Sequence, residues 1–490
     1  MKFLVCFCLL LISIFTNGQI TIHVHLDTSV KGTFTGRLYL LTQRDTTKQV
    51  SDQPDFNDPQ AFFAKSVQNW KGSEVQLFTG NEEVYSKKFT ELKPGYYKAV
   101  AIIDVNEEER AFNFSPGNAY SRKEAIIHID SAGRGEGHIY INTIVAERQF
   151  RETERIKLLK LRSGLLSSFH GKDVFVKAAV VLPEGYETNQ LSDYPIVFVI
   201  PGWGGTHYDV LRGDGPGKRY GFGVGKKKVF VYLNPETQTR WGLHAFIDSK
   251  VNGPWGKALV EEVFPYLQEN YRVSKSESNY FLTGQSSGAY GALWLQMHYP
   301  KKFNGCWVAA PDPVDFSNFT GINIYTDKNF YKDKKGNERP LFIVGGKPLA
   351  TMRKFATHDF FFGDGSQLQS FEAAFGNKDA SGRPKEIFDR KTGMIHKNVA
   401  MEWRTYDLGM YLKHSWKILE PDLKNKIHIY VGSDDNFLLQ GAVMNFRKKA
   451  EAVNASVVCE IIPGADHWSL WTTQLTEKIH RGIDSRITGQ

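Results

Sequence analysis

Residues 280–289 read Tyr280-Phe281-Leu282-Thr283-Gly284-Gln285-Ser286-Ser287-Gly288-Ala289. The first four read as the end of a buried strand, and a GxSxG pattern follows. Small residues at Ala289, Gly291 and Ala292 then open a helix that can lie close to that strand. Leu293 and Met297 repeat four apart on one face of it, and Pro300 stops it. This is the layout of a nucleophile elbow, a strained strand-to-helix turn that lifts one serine hydroxyl clear of a sheet. A side chain at Gly284 or Gly288 would crowd the turn. A serine hydroxyl is a weak nucleophile until a base takes its proton, and the base must be oriented by an acid. The elbow therefore demands three further features: a base, an acid and an oxyanion hole.

The surroundings supply the right scaffold. Apolar runs at 174–182, 194–200, 228–233 and 280–283 read as strands. A helix is expected at about 255–271, with Leu259, Val263 and Leu267 repeating every four positions. After the elbow come strands at 305–309, 426–431 and 455–462 and a C-terminal helix. Near-continuous apolar strands alternating with helices predict a parallel sheet covered on both faces.

Chain order filters the candidates. On a fold of this kind the serine is followed by Asp or Glu and then by His, the acid and the base each after a later strand. Of 14 histidines only His467 and His480 lie beyond the acid candidates. His467 sits in a loop directly after a strand, Pro463-Gly464-Ala465-Asp466-His467. His480 falls within the C-terminal helix, where a solvent-facing position is expected. The acid is expected in Gly432-Ser433-Asp434-Asp435-Asn436-Phe437, where both aspartates qualify, and Asp312 after an earlier strand is a third candidate. One oxyanion donor is the N–H of Ser287, the residue after the serine. The other is expected in Pro201-Gly202-Trp203-Gly204-Gly205, a glycine loop that ends an apolar strand.

From about residue 174 onward the chain resembles the Putative esterase family of α/β-hydrolases. That family includes esterase D (S-formylglutathione hydrolase), siderophore esterases, and feruloyl and acetyl esterases. The matching pieces are VVLPEGY, VFVIPGWGG, LTGQSSGAYGA, GSDDNFLL and GADH. The resemblance implies an α/β fold, an α/β-hydrolase with a doubly wound, mostly parallel sheet. It implies Ser286 as nucleophile, His467 as base and Asp435, the fourth residue of the family's G-x-x-D pattern, as acid. It places the loop's oxyanion N–H at Trp203 and implies no cofactor. The stretch 311–425 is longer than compact members need and rich in aromatics, among them Phe360, Phe371, Phe375, Trp403 and Trp416. It is expected to lid or wall the pocket. Trp241 and Asn252, on a strand-end loop expected to face the same pocket, are candidate substrate contacts.

The first 145 residues differ. Met1-Lys2 and an apolar run from Phe3 to Phe15 read as a signal peptide over residues 1–18, too short to span a membrane. Residues 19–145 read as a small all-β sandwich accessory domain, with short strands at 37–41, 74–78, 97–104, 125–130 and 137–144. Ile20, Ile22, Val24 and Leu26 alternate with polar residues, so His23 and His25 share a solvent face. No further metal ligand is evident nearby, and no metal site is expected. Residues 146–170 are charge-rich and read as a connector, and 171–490 as the catalytic domain.

The net charge is +8, yet the longest basic cluster is Lys226-Lys227-Lys228, which reads as a solvated strand entry; no nucleic-acid arm is expected. After cleavage two cysteines would remain, Cys306 and Cys459, expected to be unpaired on non-adjacent strands. The sequence thus predicts a secreted or periplasmic serine hydrolase acting on a small-molecule or polysaccharide-linked ester, with no nucleic acid partner and no membrane span. An acyltransferase or peptidase on the same fold, or a non-catalytic glycan-binding protein, are the alternatives.

Overall fold

A computed structural model describes residues 19–53, 55–110, 112–113, 115–188, 193–236 and 238–488. The expected signal peptide, with Cys6 and Cys8, lies outside the described residues. The chain divides into two compact units. One runs to Asn106 and includes Asn113–Glu147; the other comprises Glu107–Phe112 and Arg148–Gln490.

The first unit is all-β. Among the described residues its strands are hydrogen-bonded into one ten-stranded sheet, where the sequence suggested a small β-sandwich. The alternation on Ile20–Leu26 is realised, with Ile20, Ile22, Val24 and Leu26 buried. These side chains join Leu38, Phe63, Trp70 and Ile103 in a single core. Strand Phe62–Trp70 is absent from the sequence reading. Its polar residues Lys65, Ser66, Gln68 and Asn69 interrupt the apolar pattern, and the pairing with Phe34–Gln43 slips near Phe34 and Gly36.

The second unit is built on an eight-stranded sheet. Its strands are β1 (Ile156–Arg162), β2 (Phe175–Val181), β3 (Ile196–Ile200), β4 (Val229–Leu233), β5 (Tyr280–Gln285), β6 (Cys306–Ala309), β7 (Ile427–Gly432) and β8 (Val457–Ile462). Their spatial order is β1-β2-β4-β3-β5-β6-β7-β8. Pairs from β4 onward are parallel, and β2 is antiparallel to both its neighbours. Strands β3, β4, β5 and β6 are buried at every position, as a sheet covered on both faces requires.

Several expectations need correction. The stretch 146–170 is no connector: it holds β1 and a helix, Gly164–His170. Its charges, Lys157, Lys160 and Arg162, belong to a sheet edge, where charged side chains discourage pairing with other chains. The helix expected at 255–271 is α-helical at both ends with a π turn at Leu259–Val263, just before Pro265, which has no N–H to give. Lys228 is buried, its ammonium held by Asp484 and by the Val224 carbonyl at 3.0 Å, so it is not a solvated strand entry. His480 is buried as well, with Nε2 2.9 Å from the Tyr220 carbonyl oxygen. Burial pushes that imidazole down to about 4.

Cys306 on β6 and Cys459 on β8 are free, with β7 between them. Among the described residues, no helix is long and apolar enough to cross a membrane. Between β6 and β7 the chain adds a hairpin, Pro340–Val344 with Lys347–Thr351, and helices that include Met352–Phe361, Gln367–Phe375 and Leu408–Leu423. Phe375, Trp403 and Trp416 are buried in the core shared with the sheet.

Candidate active site

Sheet order places the site. The chain passes from β3 to β4 on one side and returns with β5 on the other, so a crevice opens at the carboxyl ends of β3 and β5. Ser286 stands at the end of β5, immediately before helix α1 (Ser287–His298). Its backbone sits at φ 57°, ψ −125°, a sparsely populated conformation for a residue with a side chain. The turn closes this tightly because Gly288 has no Cβ: one built there would lie 2.0 Å from the Ile200 carbonyl oxygen and 2.4 Å from that of Pro201. Gly288→Ala is therefore expected to destabilise the fold by about 3 kcal/mol, read as a lowered urea midpoint at unchanged slope.

The glycine loop after β3 comes equally close. A Cβ on Gly202 would meet Ser286 Cβ at 3.1 Å. Ser287 opens α1, so its N–H has no intrahelical acceptor. Trp203 N–H likewise donates to no described residue, while the neighbouring Gly205 N–H closes a turn onto the Gly202 carbonyl at 3.0 Å. The Trp203 ring lies under the Arg110 guanidinium, 4.6 Å from the ring centroid, and Arg110 is itself 2.8 Å from the Glu236 carboxylate. Arg110 stands far from the elbow in the chain, and no sequence pattern pointed to it.

The loop after β7 brings Asp435, and not Asp434, to His467. Asp435 Oδ2 lies 2.8 Å from His467 Nδ1, and both side chains are buried. Asp435 Oδ1 accepts the N–H groups of Phe437 at 2.9 Å and Leu439 at 3.3 Å. Asp434 is a turn residue whose carboxylate takes the Ser433 hydroxyl at 2.9 Å. Asn436 ties the loops together: its Oδ1 accepts His467 N–H at 3.0 Å, and its Nδ2 donates to the Ile343 carbonyl at 2.6 Å. Gln285 Nε2 donates to the His467 carbonyl at 3.0 Å. The imidazole stands edge-on to Phe437 and Trp468.

Ser286, His467, Trp203 and Asp312 all line one cavity of about 410 Å³. The Ser286 hydroxyl donates to Asp312 Oδ1 at 3.2 Å, and the Ser287 hydroxyl donates to Asp312 Oδ2. Asp312, the third acid candidate of the sequence reading, thus holds the serine, and among the described contacts it makes no hydrogen bond to His467. Burial pushes its carboxyl up to about 6, against the pull of the Ser287 hydrogen bond and the His467 imidazole.

The folded-state value is raised, so the stability this group contributes is full below about pH 4 and is lost as pH rises through 6. A displacement of that size corresponds to about 3 kcal/mol once the group ionises. Asp312→Asn is expected to melt higher than the parent at pH 7.5, with the difference vanishing near pH 4; thermal melts at the two pH values check this.

Trp241 and Asn252, expected as substrate contacts, do not line the cavity. Trp241 packs on Val251 and Ala373, with the guanidiniums of Arg240 and Arg383 over its ring at 5.7 and 5.3 Å. Asn252 is fully buried, its Nδ2 donating to the Leu243 carbonyl at 3.2 Å and its N–H to Ser249 Oγ at 2.8 Å. Both stitch the 240–256 loop to its neighbours. The 311–425 stretch does contribute walls, through Phe319, Leu341, Met352, Phe355, Leu368 and Phe371.

A family model described as Putative esterase matches residues 173–481. No curated protein matches the chain. Solved structures that resemble it include an S-formylglutathione hydrolase from Agrobacterium tumefaciens, at 14% identity over 68% of this chain and 95% of that one, with a TM-score of 0.43. FphF, a fluorophosphonate-binding serine hydrolase of Staphylococcus aureus, gives 14%, 68%, 98% and 0.42 on the same measures. A ferulic acid esterase from Anaeromyces mucronatus in complex with ferulic acid gives 15%, 69%, 93% and 0.35. The family match covers well over half of the chain and runs through β2, the elbow, the Asp435 loop and the His467 loop. The chain belongs to the Putative esterase family, and its chemistry is ester hydrolysis.

Proposed function

We propose that the protein is an exported serine esterase of the α/β-hydrolase fold that cleaves carboxylic esters through an acyl-enzyme on Ser286. The observation that carries this reading is the shared cavity: a serine held at φ 57° ahead of a helix N-terminus, facing the same space as a buried His467–Asp435 pair. In the reaction the Ser286 hydroxyl swings from Asp312 to His467 Nε2, which takes its proton as Oγ attacks the ester carbon. Asp435 holds Nδ1–H and stabilises the imidazolium. The carbonyl oxygen becomes an oxyanion between the N–H groups of Ser287 and Trp203. Collapse expels the alcohol, which receives the proton from His467. Water then attacks the acyl-enzyme by the same route in reverse and releases the acid.

The signal-peptide pattern of residues 1–18 supports export. Apolar walls from Phe319, Leu341, Phe355 and Phe371 suit an acyl group with an apolar or aromatic body. Together with export this favours acyl groups on polysaccharides or on a siderophore. Hydrolysis of p-nitrophenyl acetate beside Ser286→Ala tests the reaction, followed by feruloylated, acetylated and siderophore esters for the substrate. A rate equal in parent and variant would overturn the proposal.

A further inference from the structure

On the first unit, Ile20–Leu26 pairs in parallel with Gly135–Ile141, with His23 directly in register with His138. Period-two alternation sends Ile22, Val24, Ile139 and Ile141 into the core, so His23, His25, Glu136 and His138 share the outer face. The sequence showed only the first two of these. The pairing supplies the other two from more than a hundred residues away.

Three of these side chains, His23, Glu136 and His138, converge on a common point. His23 Nε2 lies 3.3 Å from Glu136 Oε1, and His138 Nε2 lies 3.7 Å from the same oxygen. One ligand atom from each of His23, Glu136 and His138 falls within 4.8 Å of the other two. Around a tetrahedral ion with bonds of about 2.0–2.1 Å, neighbouring ligand atoms stand about 3.3–3.5 Å apart, close to the two separations observed. His25 completes the arrangement. Its Nε2 is 3.0 Å from His138 Nδ1. If His138 carries its proton on Nδ1 and donates it to His25, its Nε2 lone pair faces the cluster, the tautomer a metal-bound imidazole needs. The rings of His23 and His138 stack at 4.6 Å, and Tyr140 stacks on His25 at 4.7 Å, which fixes their planes.

We propose that His23, Glu136 and His138 form a binding site for a divalent transition-metal ion of the zinc class, with His25 as the positioning residue behind His138. Two imidazoles and one carboxylate with the outer side open to water is a zinc-type donor set and a poor one for magnesium or calcium. The ion would clip together two strands that are distant in the chain, so binding would stabilise the unit.

Titration of the full-length chain with zinc chloride at neutral pH, followed by calorimetry, tests this. The expected result is one saturable site per chain and a raised melting temperature. Replacing a ligand, as in His23→Ala, His138→Ala or Glu136→Gln, should weaken binding by at least tenfold and remove the melting shift. His25→Ala should weaken it by about 10–100-fold. His414→Ala, a surface histidine of the other unit, should change nothing. All three ligands are at least a quarter exposed, and Glu136→Gln keeps the side chain's shape, so metal-free melts of the variants should match the parent. Absence of saturable zinc binding, retention of the affinity in His138→Ala and Glu136→Gln, or equal affinity for magnesium chloride would overturn the proposal.

Discussion

Ser286→Ala is expected to lower kcat for p-nitrophenyl acetate by about ten-thousand- to million-fold, to the level that oxyanion binding and substrate positioning alone sustain. The variant removes only the atom that would form the acyl-enzyme. Alanine fits the φ 57° turn no worse than serine does, and the Ser287 hydroxyl still donates to Asp312. Melting should therefore change little while turnover collapses. The assay needs purified variant, because contaminating wild-type esterase at one part in ten thousand would mask the effect. Retention of more than about one per cent of the parental rate would place the nucleophile elsewhere.

Asp435→Asn is the second large effect, with an expected loss of about a thousand- to ten-thousand-fold in kcat. The carboxylate accepts Nδ1–H of His467 at 2.8 Å and is itself held by two backbone N–H groups. The amide that replaces it can turn its NH2 toward the ring, which then protonates at Nε2 and can no longer accept the serine proton. Two neighbours serve as controls. Asp434→Asn should leave the rate within about twofold, since the Asp434 carboxylate takes only the neighbouring Ser433 hydroxyl and the Asp434 N–H, which donates to the Ala465 carbonyl, survives the change. Asp312→Asn should cost less than about tenfold, because Asp312 holds the resting hydroxyl and does not touch the base. A larger loss at Asp312 than at Asp435 would assign the acid role to Asp312 and revise the triad.

The elbow was legible because its requirements are local: two glycines, one serine and a small-residue helix within ten positions. The candidate base His467 and the candidate acid loop could be singled out because chain order and strand ends leave few choices, and the structure brings His467 and Asp435 together. Asp435 was separated from Asp434 only by the family pattern, and the contact with His467 agrees with that choice. Trp241 and Asn252 were misplaced because periodicity says nothing about which side of an irregular loop meets the cavity. The aromatic residues of 311–425 were only partly understood for a similar reason. Of Phe360, Phe371, Phe375, Trp403 and Trp416, only Phe371 reaches the cavity, while Phe375, Trp403 and Trp416 fill the core. Nor could a sequence show that Asp312 takes the serine hydroxyl, or that Glu136 and His138 return to His23, since both depend on pairings distant in the chain.

The outermost strand decides where the larger unit can be divided. The family match begins at residue 173, which invites a cut just upstream of β2. Such a fragment would lack Ile156–Arg162, whose pairing with β2 spans seven registered residues. Val176, Ala178 and Val180, interior in the intact chain, would then border a bare edge with its N–H and C=O groups unmet. That surface is a template for a neighbouring molecule's strand, and in the intact chain it is covered by a lysine-bearing ribbon that sequence alone passes off as a tether.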